Sequence, residues 1–214
     1  MGIQLFKASF NVEACLAQVR ECLEKGWTGM GFKTVEFEEE WKKYTGHKYA
    51  YFINSNTAGL YMAVDTLKEL YGWEDDDEII STPLTFISTN HAITKSNLKA
   101  VFADVDDTLC LDPKSVEEHI TDKTRAVIFV GFGGNTGKFK EVVKTCKERG
   151  LKLILDAAHI PAHVIRMVAF QGQMEMPTLL CIPIRQSRIS LPAIVDVSVL
   201  TTQSWMKSSV RRRG

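Results

Sequence analysis

The sequence predicts an α/β fold built on a doubly wound, mainly parallel sheet, and three observations carry that expectation. From Tyr49 to Asp156, short apolar runs of strand length alternate with segments whose apolar residues recur at helical spacing, the rhythm of βαβ units. Leu151-Lys152-Leu153-Ile154-Leu155 follows Gly150 and ends in Asp156, as expected of a strand buried on both faces that delivers a carboxylate to the sheet's C-terminal edge. Tyr49 to Ile53 runs through Asn54-Ser55-Asn56-Thr57-Ala58 straight into a helix, so main-chain N–H groups and hydroxyls are presented at a helix N-terminus. That edge is where open α/β sheets bind ligands.

The elements follow in order. Asn11 caps a helix to Lys25 that carries Val12, Leu16, Val19 and Leu23 at helical spacing and ends at Gly26. Cys15 and Cys22, a heptad apart on it, are expected to face the core. Gly26-Trp27-Thr28-Gly29-Met30-Gly31 is a loop whose glycines allow a close approach to its backbone. A second helix spans about Thr34 to Tyr44. After the strand Tyr49 to Ile53, a helix carries Ala58, Leu60, Ala63, Val64 and Leu67. A strand at Glu78 to Ser81 leads through Thr82-Pro83-Leu84-Thr85-Phe86 to a helix ending near Ile93. Then come a strand Ala100 to Ala103, a helix Pro113 to Ile120, a strand Ala126 to Val130 and a helix Lys138 to Arg149.

Composition excludes several classes. Lysine plus arginine equals aspartate plus glutamate at 26 each, so no overall basic field points to nucleic acid. The one basic cluster, Arg211 to Arg213, reads as solvated. No apolar run reaches the length of a membrane span, and Met1 to Leu5 lacks a signal pattern, so a cytoplasmic location is expected. The five cysteines form no CxxC pair and no zinc spacing, so reduced thiols and no metal site are expected.

The chemistry at the edge admits several readings. Asp156 suits a positive ring nitrogen, a metal, a hydroxyl or the cap of a following helix, and His159 stands one short turn further on. Phe86 beside the same edge suits a planar ligand, or the core. Val101 to Leu109 fits the strand-then-DxDxT pattern of haloacid-dehalogenase-type phosphatases, with Asp104 as nucleophile and Asp106 as general acid. No later acidic pair completes a magnesium site, so that reading is the alternative. Gly131 to Lys138 departs from a P-loop by one extra residue, and Phe139 stands where a Ser or Thr should be. It is taken as a glycine-rich turn.

In this order, W-T-G-x-G at Trp27 to Gly31, N-S-x-T-A at Asn54 to Ala58, D-E-I-I-x-x-P-x-T-F at Asp77 to Phe86, D-V-D-x-x-T near Asp104 and D-A-A-H at Asp156 to His159 resemble the DegT/StrS family of sugar aminotransferases. These are pyridoxal-phosphate enzymes of the aspartate aminotransferase fold. The resemblance covers about residues 26–159. It implies pyridoxal 5′-phosphate as cofactor, with Asn56, in place of the family's usual glycine, and Thr57 at its phosphate. Phe86 would stack on the ring, Asp156 would meet the ring nitrogen, His159 would meet the phenolic oxygen, and Thr28 and Gly31 would lie in a loop near substrate. It also implies amino transfer from glutamate to a nucleotide-linked keto-sugar, in a homodimer.

After His159 the resemblance lapses. The family's cofactor-bearing lysine follows by a few dozen residues, but none stands here between His159 and Trp205, and nothing around Lys207 matches the motif. No catalytic residue is therefore assigned, and little turnover is expected. The sugar dehydratases of the family use a histidine there, but His163 does not match that place. Pro161, Pro177, Pro183 and Pro192 interrupt most candidate elements. A reading-frame shift near Ile160 is expected, since one permitted back-translation of residues 176–214 in another frame resembles the family's continuation, lysine included. The domain expectation is thus residues 1–159 for the N-terminal and cofactor-binding part of the large domain, residues 160–214 for a poorly packed tail, and no small C-terminal domain. A remnant that holds the cofactor without covalent attachment is the further alternative.

Overall fold

A computed structural model of the chain describes residues 11–27, 29–45, 49–160, 178–183 and 193–197, the last two as main chain. Its elements are α1 (Val12–Glu24), α2 (Phe32–Thr45), β1 (Tyr51–Ile53), α3 (Asn56–Tyr71), β2 (Glu78–Ser81), α4 (Ile87–Lys95) and β3 (Lys99–Phe102). They continue with α5 (Pro113–Glu118), β4 (Thr124–Val130), a 3₁₀ turn (Phe132–Gly134), α6 (Phe139–Glu148), β5 (Lys152–Asp156), β6 (Thr178–Pro183) and β7 (Ala193–Val197).

The strands form one sheet in the order β1-β7-β6-β5-β4-β2-β3. β2 pairs in parallel with β3 and β4, β4 with β5, and β5 with β6, while β7 is antiparallel to β6 and β1. The expected mainly parallel, doubly wound sheet is present. Its two faces are sorted by strand alternation: Val127, Phe129, Leu153 and Leu155 join Val116, Phe139, Val142 and Val143 of α5 and α6 in one core. Ala126, Ile128 and Ile154 join Leu60, Val64, Ala92 and Ile93 of α3 and α4 in the other. With both faces covered, β4 and β5 read as unbroken apolar runs. The same alternation places Asp156, next after Leu155, on the α3 and α4 side.

The opposite end of the strands is held by charge. Arg125 grips Asp77 bidentately, Nε at 2.8 Å from Oδ2 and Nη2 at 3.0 Å from Oδ1. Lys99 donates to Glu78 at 2.8 Å, and the Thr121 hydroxyl donates to its other oxygen at 2.6 Å. These partners hold both carboxyls below their usual range, Arg125 acting first on Asp77 and Lys99 first on Glu78.

α1 departs from expectation. Asn11 caps it as expected, accepting from Ala14 N at 3.1 Å. Its apolar stripe, however, is exposed: Val12, Leu16, Val19 and Leu23 keep 54–63% of their surface, and the helix buries no residue. Cys15 is exposed and Cys22 only half-buried, correcting the expectation that both face the core. The reason is topological, because α3 to α6 already cover the sheet and α1 lies outside both core layers.

Of residues 160–214, where poor packing is expected, Ile160 is described and buried, and β6 and β7 are described as paired main chain. Such pairing draws on backbone N–H and C=O groups that nearly every residue type supplies. The rest of that stretch, with Lys207 and His163, lies outside the described residues.

Candidate active site

The site is built around Asp156, the last residue of β5, which keeps 3% of its surface. Three donors reach its carboxylate. Asn56 Nδ2 donates to Oδ1 at 3.0 Å, the main-chain N–H of Ala158 donates to Oδ1 at 3.2 Å, and the Thr89 hydroxyl donates to Oδ2 at 2.9 Å. Burial pushes the carboxyl above its usual range; Thr89, Asn56, Ala158 and nearby His159 each pull it back. All three hydrogen-bond donors are neutral, and among the described residues no cation pairs with Asp156. Such a carboxylate is an incomplete arrangement, since an interior charge is ordinarily matched by an opposite one.

Asn56 opens α3. Ser55 caps the helix, its hydroxyl accepting from Ala58 N at 3.2 Å and its carbonyl from Gly59 N at 3.1 Å. The main-chain N–H groups of Asn56 and Thr57 precede the first intrahelical bond and point out of the helix end, free to meet an anion. The Asn56 side-chain oxygen is buried and has no partner among the described residues. The sequence placed Asn56 at the cofactor phosphate; in the structure its main chain lies at that helix end while its side chain reaches the carboxylate instead.

Phe86 precedes α4 and leaves 72% of its surface in solvent, unusual for a phenylalanine, and stacks on no ring among the described residues. Its carbonyl accepts from Thr89 N at 3.1 Å, and the Thr85 and Thr89 hydroxyls lie 3.0 Å apart. The Phe86 loop is therefore tied to Asp156 through Thr89. His159 accepts from Gly133 N at its Nδ1, 3.2 Å away, and stands edge-on to Phe132 at 5.6 Å. Because Nδ1 accepts, the neutral ring carries its proton on Nε2 and can donate there.

The chain's path past His159 is fixed by Gly131. A Cβ on that glycine would lie 2.3 Å from Ile160 Cδ1, so only glycine lets Ile160 seat with 1% of its surface exposed. In the Trp27 loop, the close approach that the glycines allow is made by the loop's own indole. Trp27 Nε1 donates to Met30 O at 2.9 Å, over Gly31, where a Cβ would meet that nitrogen at 2.0 Å. Gly31 accepts from Thr34 N at 3.0 Å and opens α2. Thr28 lies outside the described residues, and no hydrogen bond among those described joins Gly31 to the Asp156 cluster.

The two other motifs meet each other. Lys138, from the glycine-rich turn, pairs with Asp106 of D-V-D-D-T at 3.1 Å, and Thr108 donates to the same carboxylate through its N–H at 2.8 Å and through its hydroxyl. Asn135 Nδ2 donates to Thr108 O at 2.9 Å. Asp106 is thus occupied as the anchor of a clasp between the loops after β3 and β4. No group of three or more His, Cys, Asp or Glu that could hold a metal is found among the described residues.

The structure brings Asn56 and Asp156 into contact, with Phe86 linked to them through Thr89 and with His159 beside Asp156. Thr89 and Gly133 are partners the sequence reading did not name. Thr85 and Thr89 stand one helical turn apart beside Phe86, but that spacing does not tell that Thr89 meets Asp156. These features fit pyridoxal phosphate: orphan helix N–H groups suit its phosphate, the open Phe86 ring its face, and a buried carboxylate with only neutral donors its protonated nitrogen.

The fold is shared with solved aminotransferases that depend on pyridoxal phosphate, of fold type I. The chain belongs to the DegT/DnrJ/EryC1/StrS aminotransferase family, whose model matches residues 11–166 and so extends the likeness across α1. The spore coat polysaccharide biosynthesis protein SpsC of Bacillus subtilis is 38% identical over 145 residues, 67% of this chain and 36% of that protein. The chain thus spans about a third of the length of this curated relative. Among solved structures, PseC of Helicobacter pylori, an aminotransferase involved in pseudoaminic acid biosynthesis, superposes with a TM-score of 0.78 at 21% identity, over 94% of this chain and 53% of that one. NtdA of Bacillus subtilis, solved with bound cofactor PMP, does so with 0.75 at 22% identity, over 88% of this chain and 42% of that one.

Proposed function

We propose that this chain carries the cofactor-binding part of a sugar aminotransferase, an enzyme that moves an amino group from glutamate to a nucleotide-linked keto-sugar in polysaccharide biosynthesis, and that it binds pyridoxal phosphate without covalent attachment. The observation that carries this reading is the convergence of Asn56, Asp156 and Thr89 at the edge flanked by Phe86 and His159.

When bound, the cofactor supplies an electron sink for the carbanion formed at the amino-bearing carbon. The chain's own residues bind and orient. The N–H groups of Asn56 and Thr57 hold the phosphate, aided by the positive end of α3. Phe86 covers one face of the ring and keeps water from it. Asp156 holds a proton on the ring nitrogen, because a buried anion favours the charged form of a facing base. His159 donates from Nε2 to the phenolic oxygen. No lysine is available between His159 and Trp205 to move protons between carbon centres, so little amino transfer by this chain is proposed.

Dialysis after incubation with pyridoxal phosphate tests this reading. Expected are a bound-cofactor absorbance band that dialysis removes, and no glutamate-dependent amination of nucleotide-linked keto-sugars. A band that borohydride fixes to one lysine, or sustained amination, would contradict it.

A further inference from the structure

We propose that Thr89 is a positioning residue for Asp156, fixing the direction in which the carboxylate faces a ligand's protonated ring nitrogen, with Asn56 as the second arm of the same clamp. The inference rests on the reading of Asp156 as the partner of that nitrogen, and it concerns what makes Asp156 fit for the task.

Each carboxylate oxygen has its own side-chain donor: Thr89 Oγ1 on Oδ2 at 2.9 Å and Asn56 Nδ2 on Oδ1 at 3.0 Å. Two donors on two oxygens, from different helices, stop rotation about the Cβ–Cγ bond. Thr89 is fully buried, so its hydroxyl cannot turn to water. An ionised carboxylate only accepts, so the Thr89 proton must point to Asp156 and the Thr85 hydroxyl, 3.0 Å away, must donate to Thr89. The chain Thr85 to Thr89 to Asp156 is therefore directional, and each bond polarises the next. The same chain anchors the loop that carries Phe86, so ring cover and ring-nitrogen partner are set by one hydroxyl. On the other arm, the Asn56 oxygen, buried and with no partner among the described residues, lies on the amide that grips Oδ1. A protonated ring nitrogen is a charged donor, which the Asp156 carboxylate, met only by neutral donors, lacks among the described residues.

The groups that bear on the carboxylate are Asn56 from α3, Thr89 from α4, the Ala158 N–H, and His159, whose Nδ1 is taken by Gly133. Loss of the Thr89 hydroxyl removes a donor that favours the anion, and so raises the pH below which Asp156 is protonated.

The test uses the full chain and pyridoxine 5′-phosphate, which keeps ring nitrogen and phosphate but has no aldehyde to react with lysines. Affinity is measured against pH for the unaltered chain, Thr89→Val, Thr89→Ser and Asn56→Ala. Thr89→Val is expected to weaken binding about tenfold and to move the acid limb of the pH profile upward, with Thr89→Ser restoring both. Asn56→Ala is expected to shift the limb the same way. Carboxyl carbon resonances of the ligand-free chains follow the Asp156 titration independently of binding, and should show the same order. Binding by the unaltered chain with no shift in Thr89→Val, or equal loss in Thr89→Val and Thr89→Ser, would overturn the clamp alone. No binding by the unaltered chain would overturn the cofactor reading and the clamp with it.

Discussion

At the scale of single residues, Asp156 sets function against stability. Its folded-state carboxyl is raised by burial, so ionisation penalises the folded state. For an acid whose folded value lies above its unfolded value, that penalty is absent below about pH 4 and grows as pH rises through the folded value. Asp156→Asn in the ligand-free chain should therefore raise stability on the order of 1 kcal/mol near neutral pH, with the gain shrinking toward about pH 4. Thermal denaturation at several pH values reads this directly, and a variant less stable at every pH would count against it. Leu109 offers a second test, because it sits at φ +62° with 46% of its surface exposed in the turn after D-V-D-D. A leucine is disfavoured there by contact of its Cβ with the next carbonyl, so Leu109→Gly should stabilise by about 1 kcal/mol. Urea melts of the two chains decide it.

At the scale of elements, the two ends of the strands divide the work. The N-terminal ends carry the matched ion pairs of Asp77 with Arg125 and Glu78 with Lys99, whereas the C-terminal ends carry the uncompensated Asp156. Because Asp77 and Glu78 are held below their usual range, their stabilisation is complete above about pH 4 and is lost as pH falls through the depressed values. Arg125→Met should cost about 2 kcal/mol, less than a fully interior pair because the guanidinium side is partly solvated, and should flatten the acid limb of the melting curve. The turn after β4 is equally constrained. Gly131→Ala forces its new carbon onto Ile160, which has no room to retreat, and should destabilise by about 1–3 kcal/mol. Because that turn leads into Gly133, which donates to His159, the same variant should weaken pyridoxine 5′-phosphate binding as well.

At the scale of the whole molecule, the parts written in local periodicity were legible. Unbroken apolar runs in β4 and β5, period 3.6 in α3 and α6, and Ser55 and Asn11 as caps all mark their elements in the sequence. Asp156 at the sheet edge followed from strand length alone. What was hidden depends on contacts between distant parts of the chain: Thr89 reaches Asp156 across 67 positions and Asn56 reaches it across 100, and neither bond leaves a local signature. α1 looked like a core helix because an apolar stripe declares only that it can be covered, not by what. The D-V-D-D-T stretch fitted a phosphatase pattern and G-F-G-G-N-T-G-K a glycine-rich turn, and neither pattern told that Lys138 and Asp106 join the two stretches into one clasp. The central claim, that the edge around Asp156 holds the ring and phosphate of a pyridoxal cofactor, is tested most directly by equilibrium titration of the full chain with pyridoxine 5′-phosphate, beside Asp156→Asn. Saturable one-to-one binding that Asp156→Asn weakens at least tenfold is the predicted result; no saturable binding, or equal binding by both chains, would contradict it.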